Sequence, residues 1–162
     1  VKVIWFVSLL LLVIAAVLLL VGQLGMLKGT APTDLGVKEG RLKPPARTPN
    51  SVSSQANLYP DHPQNNYAAI PPLAYQGDSK AAMARLLSVV QAQPGTVIVS
   101  QTDTYIYAQS TTRLLRFTDD VEFWLDLSKQ TIHVRSASRI GRKDFGVNRQ
   151  RVETIRAQFN SN

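Results

Sequence analysis

Asp119, Asp120, Glu122 and His133 crowd into one short stretch of the chain. Carboxylates near an imidazole are the groups that general acid–base chemistry uses, because their surroundings can bring their pKa values towards neutrality. Arg135, Ser136, Ser138 and Arg139 follow at once, and Arg113 and Arg149 flank the stretch. The serines, Gly141, Arg142 and Lys143 lead into a helix start at Asp144, a setting suited to an anion. Asp144 competes for that place, since a capping carboxylate accepts from the same N–H groups. The candidate set for a ligand or partner is Arg113, Asp119, Asp120, Glu122, Trp124, His133, Arg135, Ser136, Ser138, Arg139 and Arg149. The plainer reading is a solvated, salt-bridged face, with Glu122–Arg135 worth about 0–1 kcal/mol and Asp119-Asp120 in a turn.

No catalytic motif accompanies these residues. A Gly-x-Ser-x-Gly elbow is missing, nothing sets His133 beside a particular serine, and no metal-ligand spacing occurs. The chain has no cysteine, which removes disulfides, thiolate chemistry and Cys-bound zinc. Neither a cofactor nor a catalytic residue is therefore assigned. His62 reads as a solvated residue of an irregular segment.

The elements that must position the set begin with a hairpin. In Val121–Leu127, Val121, Phe123 and Leu125 share one face and Glu122, Trp124 and Asp126 the other. In Thr131–Ser136, Ile132 and Val134 oppose His133 and Arg135. A turn at 127–130 pairs Asp126 with Thr131, Phe123 with Val134, Trp124 with His133 and Glu122 with Arg135. Apolar then meets apolar and opposite charges meet. The polar face of this hairpin is expected to point outward, away from the helices.

Upstream, Ile70–Tyr75 predicts an edge strand, Pro71 and Pro72 being tolerated there. Asp78 predicts the N-cap of a helix over 79–92, with Ala82, Met83, Leu86, Val89 and Val90 as its buried stripe. Thr96–Gln101 and Tyr105–Ser110 read as strands, and Arg113–Phe117 as an extension or a further strand. A last helix over 145–159 buries Val152, Ile155 and Phe159 and turns Arg149, Arg151, Glu153 and Arg156 mostly outward. The order β-α-β-β-β-β-α predicts an α+β domain, an antiparallel sheet with two helices on one face.

Before it, Val3–Leu27 carries no charge, and about 37 Å of helix exceeds a bilayer core of about 30 Å. It reads as a retained transmembrane helix (residues 1–27), because the apolar run is longer than a signal peptide needs and Pro32 disfavours cleavage after Ala31. Trp5 suits the headgroup boundary. Residues 28–66 read as a Pro/Gly/Asn-rich tether whose Leu35, Val37, Leu42, Val52 and Leu58 are too sparse for a core and whose second half, from about Pro49, lies along the domain surface, and 67–162 as the folded domain. Basic residues beyond the helix would keep the domain cytoplasmic on a plain charge count, whereas the short N-terminal flank favours export. The net charge of +7 favours anionic partners.

From Pro49 to Phe159 the chain resembles the DUF1499 family. The resemblance is carried by Pro49-Asn50-Ser51-Val52-Ser53-Ser54-Gln55, Thr112-Arg113, Asp119-Asp120-Val121-Glu122-Phe123, His133-Val134-Arg135-Ser136-Ala137-Ser138-Arg139, Gly141 and Asp144-Phe145-Gly146-Val147-Asn148-Arg149. It implies an exported or membrane-anchored protein, hence the exported (periplasmic) side, and brings no reaction with it. The expected function is a non-catalytic binding or assembly domain of the envelope. Its partner would be a protein or an anionic lipid headgroup; nucleic acid is not expected, as no RNP-type motif is present. The alternative is an enzyme on an envelope small molecule or lipid, working through Asp119, Asp120, Glu122 and His133.

Overall fold

In the computed structural model, which describes residues 1–161, the period-two alternation of the C-terminal half builds one antiparallel sheet. The elements in chain order are α1 (Lys2–Gln23), β1 (Ser51–Ser53), α2 (Asn65–Ala68), β2 (Leu73–Ala74), α3 (Ser79–Gln91), β3 (Thr96–Gln101), β4 (Tyr105–Thr111), β5 (Thr118–Asp126), β6 (Thr131–Ser138) and α4 (Val147–Ser161). The strand order is β1-β6-β5-β4-β3. β1 and β2 share the free edge of β6, β1 along Arg135–Ala137 and β2 along Thr131–Ile132. The β5–β6 hairpin has the expected register, Glu122 opposite Arg135, Phe123 opposite Val134, Trp124 opposite His133 and Asp126 opposite Thr131. On the outer edge β3 breaks register between Ile98 and Ser100, a bulge that blunts an edge carrying exposed Val97 and Val99.

α3 and α4 cover one face. Met83, Leu86 and Val90 of α3 and Val152, Ile155 and Phe159 of α4 join Ile106, Val121, Phe123, Ile132 and Val134 in a single core. Asp78 caps α3 through Ala81 N–H at 2.8 Å, and Arg85 lies 4.4 Å over the Phe159 ring, tying the helices together. The α+β class with helices on one face therefore holds.

Several local expectations change. The strand read over Ile70–Tyr75 shortens to Leu73–Ala74, and α4 begins at Val147, two residues later than expected. Arg113–Phe117 is not a strand but the turn between β4 and β5, with Arg116 in left-handed backbone at φ 58°. The arginines of α4 do not turn outward. Arg149 donates to the carbonyls of Tyr67 and Ala69, Arg156 to those of Pro71 and Pro72, and Arg151 to Asp119. The Arg149 and Arg156 contacts satisfy backbone carbonyls along the Pro-rich approach to β2, where regular strand pairing stops.

The largest change concerns residues 28–66. Leu42 and Val52 are buried, against the expectation that the segment's apolar residues were too sparse for a core. Val52 enters the core from β1. Residues 33–46 cross the sheet face opposite the helices as a strap. Its centre is a tight turn, Lys38 to Arg41, with Glu39 (φ 51°) and Gly40 (φ 69°) both left-handed as a type I′ hairpin requires. Gln55 clamps it, accepting from Leu42 N–H at 2.8 Å and donating to Gly40 O at 3.1 Å.

At the other end, α1 carries no charge after Lys2, and its apolar stretch is unburied. A bare apolar helix of this kind has no favourable place in water. Its 22 residues give about 33 Å, enough for a bilayer core of about 30 Å. It is a candidate membrane anchor. Its last turn touches the domain: Gln23 Nε2 donates to Leu114 O at 2.9 Å, and Gly22 packs so closely on Leu115 that an added Cβ would lie 2.7 Å from its carbonyl oxygen.

Candidate functional site

Alternation along β5 and β6 distributes the polar candidates over both faces of the sheet. On the helix face, Asp119 meets Arg151 Nη2 at 2.6 Å, and Arg151 Nη1 donates to Ser136 Oγ at 3.0 Å and Asn148 Oδ1 at 2.8 Å. Asn148 is wholly buried. Its amide donates to Asn50 O, Ser138 Oγ and Asp144 Oδ2, while its Oδ1 accepts from Ser136 Oγ at 2.6 Å. Asp144 also accepts from the N–H groups of Gly146 and Asn148 and from the Tyr67 hydroxyl. Burial opposes ionisation of Asp144, but these hydrogen bonds outweigh it and hold its carboxyl below the usual range. Asp144 thus fills the helix-start position considered for an anion. The loop after β6 instead lines an open cleft of about 640 Å³ with Arg142, Lys143 and Phe145.

The opposite face carries a second network beneath the strap. Glu122, fully buried, accepts from Tyr105 OH and from Gly36 N–H, both at 2.8 Å. Arg135 Nη1 stands 3.5 Å from Glu122 Oε2, and Arg135 Nε donates to Pro44 O at 3.3 Å. One register step along, Arg139 grips Asp120 with two donors at 2.9 and 2.6 Å, and Tyr107 OH donates to the same carboxylate at 2.6 Å. The Asp120 contact raises the Arg139 pKa further, so the guanidinium is always charged. The hairpin face expected to point outward is therefore enclosed, and Glu122–Arg135 is a buried pair rather than a surface one. Burial lowers the Arg135 pKa, while the Glu122 charge works the other way.

Asp119 lies on the helix face and Asp120, Glu122 and His133 on the strap face, so the four acid–base candidates do not converge. His133 stacks on Trp124 at 5.3 Å and lies 3.1 Å from Ser54 Oγ, which also accepts from Val134 N–H. The structure thus gives His133 a serine neighbour that the sequence did not suggest. Asp126 stands 3.8 Å from His133 Nε2, too far for a hydrogen bond, and Nε2 is buried without a partner. Ser54, His133 and Asp126 are the residue types of a hydrolase triad, but the serine sits on Nδ1, the carboxylate is out of hydrogen-bond reach of Nε2, and the clefts described here are lined by none of the three.

Burial pushes the His133 pKa below its ordinary 6.5, Asp126 acting weakly against it. The folded chain then holds a neutral imidazole that the unfolded chain protonates. Stability should fall as the pH drops through about 6.5, and fall again below 3.8 as Asp126 and Asp144, both held low, lose their bonds. His133→Gln should remove the first decline and leave the second, read as melting temperature against pH.

A cleft of about 780 Å³ opens between the strap and the end of β6. Lys43, Arg47, Arg135 and Arg139 line it, against Asp34 and Asp120. Both carboxylates are taken, Asp34 by Lys43 at 2.7 Å and Asp120 by Arg139. Arg113 lies elsewhere, lining a groove of about 610 Å³ with Arg116, Gly95 and Thr96. Of the candidates, Asp120, Arg135, Ser138 and Arg139 thus share a cleft. Asp119, Ser136 and Arg149 brace the helix side, Glu122 and Trp124 lie against the strap, and His133 stacks on Trp124.

Asn148, Arg151, Tyr105, Tyr107 and the strap residues Gly36 and Pro44 were not among the candidates. The alternation Tyr105-x-Tyr107-x-Gln109 was a usable signal, because each tyrosine reaches diagonally to a β5 carboxylate two positions on. Gly36 and Pro44 contribute backbone groups, which no side-chain pattern reveals.

Residues 41–159 match the family model described as a protein of unknown function, DUF1499. No curated protein matches the chain.

Proposed function

The chain belongs to the DUF1499 family, and on that premise we propose that it is a single-pass anchored binding protein that takes a phosphate- or carboxylate-bearing ligand beside the bilayer. The observation that carries this is the 780 Å³ cleft, where four basic side chains meet two carboxylates already in ion pairs. Lys43, Arg139 and Arg135 are each paired with a carboxylate, Asp34, Asp120 and Glu122, so an anion entering there meets the excess charge of Arg47 beside the guanidinium donors of Arg135 and Arg139, which favour flat oxyanions. The contacts of Gly22 and Gln23 with Leu114 and Leu115 support a retained anchor, since cleavage near Ala31 would discard them. In this reading the domain lies on the exported side of the membrane, as the family resemblance implies. Protease protection in intact cells tests that side.

Binding is tested on the full chain in neutral-lipid nanodiscs, titrated with inorganic phosphate and with citrate at constant ionic strength. A saturable rise in melting temperature is expected with at least one of them. Arg47→Gln with Lys43→Gln at the rim should weaken it about tenfold, about 1.4 kcal/mol. No saturable response to either anion, or one unchanged in the double variant, refutes the reading.

A further inference from the structure

The end of the domain beside α1 combines exposed apolar residues with basic ones. In the β4–β5 turn, Arg113-Leu114-Leu115-Arg116, Leu114 is 64% exposed, and in the loop after β6 Ile140 is 42% exposed. Both connections leave the same end of the sheet, because β4 ends where β5 begins and β6 ends. Leu24 and Met26, which follow α1, are also exposed, at 68% and 69%. Large apolar side chains gathered at one end, with cations among them, need a partner that is apolar inside and anionic outside.

The helix fixes the height of this surface. Counted from Lys2, about 30 Å of helix ends near Val21, so Gly22 and Gln23 stand at the lipid–water boundary. Gln23 Nε2 donates to the carbonyls of Arg113 and Leu114 at 3.2 and 2.9 Å. The turn therefore lies at the level where the helix leaves the hydrocarbon. Gly29 brings the chain back against Arg139 and Ile140, where an added Cβ would lie 2.8 Å from each side chain. Arg116 adds a second cation to the same turn, in left-handed backbone.

We propose that the β4–β5 turn and the start of the loop after β6 form a second, membrane-docking surface, which lays the domain on the bilayer that holds α1. Leu114 and Ile140 enter the headgroup layer, and Arg113, Arg116 and Lys28 pair with anionic phospholipid. This rests on the anchor reading, and is independent of whether the cleft binds an anion. The sheet then stands with its β5–β6 turn, at Leu127, farthest from the lipid.

The test uses the full chain in nanodiscs of phosphatidylcholine, with and without phosphatidylglycerol. A polarity-sensitive fluorophore is attached at Leu114→Cys or, as control, at Leu127→Cys, which is 59% exposed at the opposite end. The chain has no other thiol. Blue-shifted emission and quenching by headgroup-depth spin-labelled lipid are expected at position 114 and not at 127. Phosphatidylglycerol should increase both, and Arg113→Gln with Arg116→Gln should remove that increase. Gly22→Val, which drives a side chain into Leu115, should lower quenching at 114 while the chain still floats with lipid. A floating chain whose position 114 is as open to water as 127 overturns the docking and leaves the anchor standing. A chain that does not float with lipid overturns both, and immersion indifferent to phosphatidylglycerol overturns the anionic partner.

Discussion

Replacing Asn148 by alanine should lower the unfolding free energy by on the order of 3–5 kcal/mol. The residue is wholly buried, and its amide joins Asn50, Ser138, Asp144, Ser136 and Arg151. Truncation strands the Ser136 hydroxyl proton, leaves the Asn50 carbonyl with the Ser138 N–H alone, and weakens the hold on Arg151. Each buried polar group left without a partner costs about 1–3 kcal/mol. Asn148→Asp should do no better, since it trades the amide donor for a second carboxylate against Asp144. Denaturant unfolding of the full chain in detergent measures both. A loss under about 1 kcal/mol for Asn148→Ala would mean that this network does not hold α4 to the sheet.

The Glu122–Arg135 pair should give the next largest effect. Removing one member of a buried pair costs about 3–5 kcal/mol, because the other is left charged in a poorly solvated place. Glu122→Leu alone should therefore be severe, and Arg135→Met in the same chain should recover part of the loss. Recovery stays incomplete because Tyr105 OH and Gly36 N–H also lose their acceptor. Burial and the Glu122 charge push the Tyr105 pKa far up, so its hydroxyl remains a donor needing a partner. The double-mutant cycle should return a coupling of about 1–3 kcal/mol. Hydrogen exchange should show the Gly36 amide losing protection in Glu122→Leu. Additive losses, with Gly36 still protected, would show that the strap is held by other contacts.

The hairpin was legible because two alternating runs agreed at one register, and a shift by one residue would have put Val134 opposite Glu122. The α3 stripe was legible through its spacing and the Asp78 cap. Hidden was whatever depends on backbone groups arriving from far along the chain. Gly36 lies 86 residues from Glu122, and Pro44 91 from Arg135. Hydropathy marks Leu42 as isolated, yet a strap needs few apolar residues when Gln55 and Ser51 take up its N–H groups. The same blindness made the polar hairpin face look solvated. Alternation says which residues share a face, and not whether another part of the chain later covers it. Arg151 was misplaced for a related reason: its guanidinium reaches across to a strand 32 residues earlier.

The chain passes from α1 into the strap with no free spacer, and Gln23 and Gly29 both fasten it on the way. The domain accordingly has almost no reach. On the anchored reading proposed above, it cannot swing out to capture something in the bulk, so whatever it recognises must diffuse within, or come down to, the first few nanometres above the lipid. Inserting a flexible stretch after Gly25 would turn a fixed post into a float on a line.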